Sequence, residues 1–176
     1  MRETSLQYPV GRFEIPATIT ASIIAESIEG IAALPSAMRA AVDGLSEAQL
    51  ATPYRDGGWS VRQVVHHVAD SHMHAYVRVK FAFTEEGPTI RPYDEGAWAL
   101  LPDVSTVPVA TSLSLIDALH ARWVACLRGL DASMLARTFV HPELGAQTVE
   151  LSLLRYHWHG RHHVAHITSL RSRMGW

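Results

Sequence analysis

Residues 60–84 read SVRQVVHHVADSHMHAYVRVKFAFT, and the fold turns on how they are read. Ser60 followed by Gln63 is a capping box, in which a hydroxyl and an amide satisfy free N–H groups at a helix start. Apolar residues then recur at helical spacing, which predicts a helix from Ser60 to about Thr84. Three further segments carry the same period. They are about Thr20–Val42, with Pro35 as an expected kink or break and Gly44 as a C-terminal cap, then about Ser114–Leu130, then about Val149–Met174. Residues 85–111 hold Pro88, Pro92, Pro102 and Pro108 without sustained periodicity and read as a long loop. Loops of that length usually serve a site, so this one, with Tyr93 and Trp98, is expected over or beside it. A second connection, DASMLARTFVHPELGAQT (131–148), leads into the last helix, and its strand signal is too weak for a sheet. The expected architecture is all-α, a four-helix bundle.

The 176 residues suffice for a single domain with a full core, taken here as 1–176. Fifteen basic residues against seventeen acidic ones, scattered along the chain, give no stripe for nucleic acid. There is no apolar signal core at the start and no run of eighteen apolar residues, so neither export nor a membrane span is expected, and the expected location is cytoplasmic. The one cysteine, Cys126, excludes an intramolecular disulfide and a Cys-rich zinc site, and in IDALHARWVACLRGL it reads as buried filler. Any metal must be held by nitrogen and oxygen.

Nine of the eleven histidines fall in two windows, HHVADSHMH (66–74) and HWHGRHHVAH (157–166). On a helix, positions four apart lie about 40° apart around the axis and positions three apart about 60°. His159, His163 and His166 therefore share one stripe of the last helix, and His159 with His163 can offer two imidazoles to one ion. On the second helix His67, Ser71, His74 and Arg78 share a stripe, which makes His67 the candidate third ligand. Three histidines would leave coordination positions open, as at catalytic metals. His66, His72, His120 and His141 read as surface or core residues. No HExxH is present, because Gly160 follows His159. Asp70 is the nearest carboxylate, either a helix-surface partner for His66 or an acceptor orienting a ligand ring.

The stretches GGWSVRQVVHHVADSHMHAYVRVKFAFTEE (57–86), IRPYDEGAW (90–98) and YHWHGRHHVAHITSLRSRMGW (156–176) resemble the DinB-like superfamily. Within it the likeness is to the YfiT subgroup, labelled metal-dependent hydrolases and linked to bacillithiol transferase activity. The resemblance implies an up-down-down-up four-helix bundle, often a homodimer, with a nickel or zinc ion on three histidines. The family's H-x-A-D-S histidine falls on His67, and the outer histidines of its H-x-x-H-H fall on His159 and His163. The wider superfamily continues with R-G-Q, whereas this chain has VAHI and puts His166 where the glutamine would be. His74 adds a nitrogen to the ligand stripe, as a fourth ligand, a base or a packing residue.

Three neutral imidazoles leave a dication's charge intact, so a bound water or thiol becomes a nucleophile near neutral pH. One expected activity is S-transfer from a small-molecule, low-molecular-weight thiol to an electrophile. Hydrolysis is the alternative, and a metal-stapled bundle without turnover is a further one. Without an adjacent glutamate base the thiol is favoured. Asp70, His74 and His166 are the candidate catalytic residues beside the ligands.

Overall fold

A computed structural model describes residues 6–176. Four long helices form the body: α1 (Ala21–Val42), α2 (Val61–Thr84), α3 (Val109–Leu127) and α4 (Val149–Met174). Each of α1, α2 and α4 begins on a residue whose hydroxyl accepts from an N–H of the first turn: Thr20, Ser60 and Thr148. At Ser60 the box is complete, since Gln63 also reaches back to the cap's own N–H. Pro35 does not break α1, which continues through it to Val42. Helix α3 starts at Val109, earlier than its periodicity suggested, because Pro108 occupies the N-cap.

Contacts along the helices fix their directions. Gly30 lies under His157 and Leu34 under Gly160, while Arg171 reaches the carbonyls of Ala40 and Ala41, so α1 and α4 rise together. His66 pairs with Ser112 and His72 with His120, so α2 and α3 are also parallel. Glu29 meets Arg128 and Arg39 meets Asp117, which makes α1 and α3 antiparallel. Because α2 runs parallel to α3 and α4 to α1, α2 and α4 are antiparallel, and His67 and His72 both approach His159 between them. The order is up-down-down-up.

This topology gives the long connection a physical cause. A 24-residue helix is about 36 Å long, and a following parallel neighbour requires the chain to travel back along that length. Residues 85–108 do so, with helical turns at Glu95–Trp98 and Pro102–Thr106. The connection from α3 to α4 departs from the all-helical expectation. Thr138–His141 (β1) pairs antiparallel with Gly145–Thr148 (β2), closed by Gly145 at φ +71°. Thr138, Phe139 and Val140 are the β-branched and aromatic residues that suit a pleated, half-buried strand, and Phe139 is buried. A bridge from Thr89 to Val140 ties the long connection to this hairpin.

The core has two apolar clusters. One gathers Leu34, Met38, Val64, Val68, Ile116 and Ile167, and the other Ile31, Val79, Trp123, Leu127, Leu153 and Tyr156. On α2, α3 and α4 the stretches between them carry a layer of buried histidines, His72, His120 and His163, with His166 one turn further along α4.

That layer makes stability depend on pH. Burial depresses the pKa of His67, His162 and His166 to about 4, each with that as its first cause, against an ordinary value near 6.5. Below pH 6.5 the unfolded chain takes up protons that the folded chain refuses, so unfolding becomes easier as pH falls. The contribution is present in full above pH 6.5 and is lost between there and about 4, at up to about 1.4 kcal/mol per pH unit for each such ring. Urea denaturation of the metal-free protein at steps from pH 8 to 4.5 is expected to give a plateau above 6.5 and a fall steeper than one histidine supplies. His166→Gln is expected to reduce that slope by about one proton.

Candidate metal centre

Antiparallel packing of α2 on α4 brings His67 opposite His159 and His163. Ser71 follows His67 by one turn on α2, and on α4 the four-residue spacing stacks the two rings along one stripe. The Nε2 of His159 lies 3.2 Å from Nε2 of His67 and 3.1 Å from Nε2 of His163. Ligating atoms of the three all fall within 4.8 Å of one another. A tetrahedral ion with metal–nitrogen bonds of about 2.0–2.1 Å spaces its ligands about 3.3–3.4 Å apart, and the two His159 separations fall within a few tenths of an ångström of that spacing. Trp59, just before the α2 cap, packs on His67 with ring centroids 4.6 Å apart.

Burial sets the charge of the trio. Desolvation, ahead of repulsion from neighbouring rings, holds His159 and His163 well below the ordinary histidine range, and it alone takes His67 to about 4. All three are neutral at pH 7, the state in which imidazole ligates.

The trio opens into a cavity of about 1080 Å³. Its walls include Tyr54, Arg55, Arg78, Tyr93, Glu143 and Trp158. The buried Nε atoms of Arg55 and Arg78 have no hydrogen-bond partner among the described residues. Tyr93 from the long connection lines the cavity, and Trp98 packs behind it at 4.7 Å. Burial, foremost, raises the Tyr93 phenol, which stays protonated.

The other candidates occupy different places. His74 donates from Nδ1 to the carbonyl of Asp70 at 2.9 Å and stacks on Tyr93 at 4.2 Å, so it buttresses the cavity wall and is not in the histidine trio. The Asp70 carboxyl does not line the cavity, and its pKa is raised first by burial and then by Asp103. His66, the partner expected for Asp70, instead places Nδ1 2.7 Å from Ser112 Oγ. His166 stands behind His163, stacked on Tyr54 at 3.9 Å, with Nε2 3.0 Å from the carbonyl of Gln7. Cys126, read as buried filler, is partly exposed on α3 and does not line the cavity.

Several residues escaped the sequence reading. His72 and His120, assigned there to surface or core, form a buried chain onto His159, and His141 lines the cavity. Tyr8, Tyr54, Arg55 and Glu143 come from turns that carry no period. The one available signal was aromatic and basic residues crowded into TPYRDGGWS immediately before a capping box.

Comparison with known proteins agrees with this geometry. Residues 31–167 match the family model described as the DinB superfamily. A Bacillus mycoides (strain KBAB4) protein named "Putative metal-dependent hydrolase" is 53% identical over 171 residues, covering 97% of this chain and 98% of its own. A Bacillus cereus (strain B4264) protein that is likewise named a putative metal-dependent hydrolase is 52% identical over the same length, with the same coverage. Among solved structures, YfiT from Bacillus subtilis, described as "a probable metal-dependent hydrolase with an unusual four-helix bundle topology", superposes with a TM-score of 0.94 at 47% identity, over 98% of this chain and 99% of that one. A further four-helix bundle protein, at TM-score 0.54 and 23% identity over 87% of this chain and 99% of that one, shares the fold. With the family model covering most of the chain and relatives above half identity along nearly all of it, the protein belongs to the DinB superfamily, in the subgroup of YfiT.

Proposed function

We propose that His67, His159 and His163 hold one divalent ion, zinc or nickel, and that the protein is a metal-dependent enzyme transferring a low-molecular-weight thiol to an electrophile. The observation that carries the reading is the convergence of three neutral Nε2 atoms at the wall of a large cavity. An ion held there would act as a Lewis acid, lowering the pKa of a water or thiol bound to it.

The chain's own residues supply the rest. A volume of about 1080 Å³ is at the upper end for small-molecule sites and accommodates two organic reactants. Among the described residues no carboxylate is hydrogen-bonded to the trio, which suits a nucleophile that ionises without a neighbouring base. Arg55 and Arg78 present guanidinium groups to the cavity, and Tyr93 presents a protonated phenol that can donate to a substrate. His74 holds Tyr93 in place from behind.

A second reading, hydrolysis of an ester or amide, is favoured by the names of the relatives. A purely structural ion is disfavoured by the cavity, because structural zinc sites fill every coordination position with protein atoms.

His67→Ala, His159→Ala and His163→Ala are each expected to weaken zinc binding more than the roughly 100-fold that loss of an outer partner costs. His157→Ala is expected to bind as wild type does. Zinc titration against a chromophoric chelator checks this, and equal retention in all four variants counts against the assignment.

Turnover separates the two activities. The zinc- or nickel-loaded protein is assayed with several cellular thiols and a chlorodinitrobenzene or bimane electrophile, beside an ester panel. Thiol-dependent conjugation is expected, abolished by chelation, restored by the ion and retained in Cys126→Ser. Ester cleavage without conjugation selects the hydrolase.

A further inference from the structure

Pro35 has no N–H, so the carbonyl of Ile31, four residues earlier in α1, lacks its helical partner. His120 of α3 fills the place: its Nδ1 lies 2.7 Å from that oxygen. A carbonyl can only accept, so His120 carries its proton on Nδ1, and its Nε2 is an acceptor. His72 Nδ1 lies 3.1 Å from that Nε2, which makes His72 the donor there and leaves its own Nε2 as an acceptor. His159 Nδ1 lies 3.1 Å from His72 Nε2. The proton of His159 is therefore on Nδ1, and the lone pair on Nε2 faces His67 and His163.

His72 and His120 are 0% and 1% exposed, between Trp123 and Tyr156, where a charged ring is disfavoured and one proton per ring is the rule. A shorter chain ends the same way on the other ligand. The carbonyl of Gln7, 3.0 Å from His166 Nε2, requires a proton there, so His166 Nδ1 accepts from His163 Nδ1 at 3.4 Å. That again leaves Nε2 of His163 free at the trio.

We propose that His72 and His120, with His166 on the shorter branch, are positioning residues that hold His159 and His163 in the tautomer and orientation that presents Nε2 to the ion, the polarity being set by the carbonyls of Ile31 and Gln7. The inference rests on the three-histidine metal site proposed above. Rings donating Nδ1–H to a fixed acceptor are more basic ligands and lose less freedom on binding, and removing such outer partners weakens metal affinity about 10- to 100-fold. His120 acts at a distance of two rings, which packing alone would not produce.

Two measurements test this, one needing no variant. Long-range proton–nitrogen correlation spectra of the metal-free wild-type protein are expected to show His120, His72 and His159 protonated on Nδ1 and His166 on Nε2. A proton on Nε2 of His120 or His159 overturns the proposal. Zinc titrations with a competing chelator are expected to show about 10- to 100-fold weaker binding in His72→Phe and in His120→Phe, with His157→Ala unchanged. His72→Gln, which keeps one acceptor and one donor, is expected to recover part of the loss. Wild-type affinity in folded His72→Phe and His120→Phe overturns the proposal. A wild-type chain that itself binds no zinc overturns the underlying metal-site reading, a result distinguishable from variants that match a zinc-binding wild type.

Discussion

The structure depends on burying imidazole in the middle of a helical bundle. An aliphatic layer needs only shape, whereas each buried ring brings two nitrogens, and an unpaired buried polar group costs about 1–3 kcal/mol. The two apolar clusters flank this layer and touch it through Tyr54, Trp123 and Tyr156. The layer itself must be solved as a network, every ring nitrogen finding a partner or staying unpaired. Backbone carbonyls end two of its branches, at Ile31 and Gln7. Where the Nε2 atoms of His67, His159 and His163 meet, the neutral tautomers that satisfy His72 and His166 leave no proton between His159 and His163. The ion proposed for this site would be a partner of suitable charge.

Pro35 belongs to the same constraint. In a helix interior proline costs about 3 kcal/mol, largely through a lost hydrogen bond and a clash with the preceding turn. Here part of that loss is offset, since the orphaned carbonyl accepts a bond from His120. A residue that looks like a defect in α1 is thus the fixed end of a hydrogen-bond chain that crosses α3 and α2 and reaches α4. Surface ion pairs between the same helices, such as Glu29 with Arg128, both more than half exposed, contribute far less to holding this arrangement.

Much of this was legible in the sequence, for a physical reason: helices announce themselves locally. Ser60 and Gln63 fix the start of α2 through contacts within one turn, and the period of 3.6 placed His67, His159 and His163 on facing stripes. Illegible features depend on which helix meets which. His72 and His120 are ordinary core positions until α2 and α3 are known to run parallel, and Pro35 read as a kink or break because the substitute donor to the Ile31 carbonyl, His120, is remote in sequence. The hairpin at Thr138–Thr148 was missed because four-residue strands show too few alternations to outweigh the surrounding polar residues. Tyr8, Arg55 and Glu143 sit on turns, where position in the cavity follows from tertiary packing and not from any repeat.

The spacing of the trio finally rests on how closely α4 approaches α1. A Cβ on Gly160 would lie 2.9 Å from Leu34 Cδ2, and one on Gly30 would lie 2.2 Å from His157 Cδ2, so two glycines, one on each helix, permit the contact. Gly160 immediately follows His159 and precedes His163 by three residues, so a side chain there would have to displace the Leu34 methyls or move this stretch of α4, with both rings, away from α1. Packed interiors accommodate such shifts poorly, and metal centres tolerate only a few tenths of an ångström. The glycine that excludes a protease-type glutamate from the motif is therefore also the residue that lets α4 settle deep enough to set its two imidazoles against the one on α2.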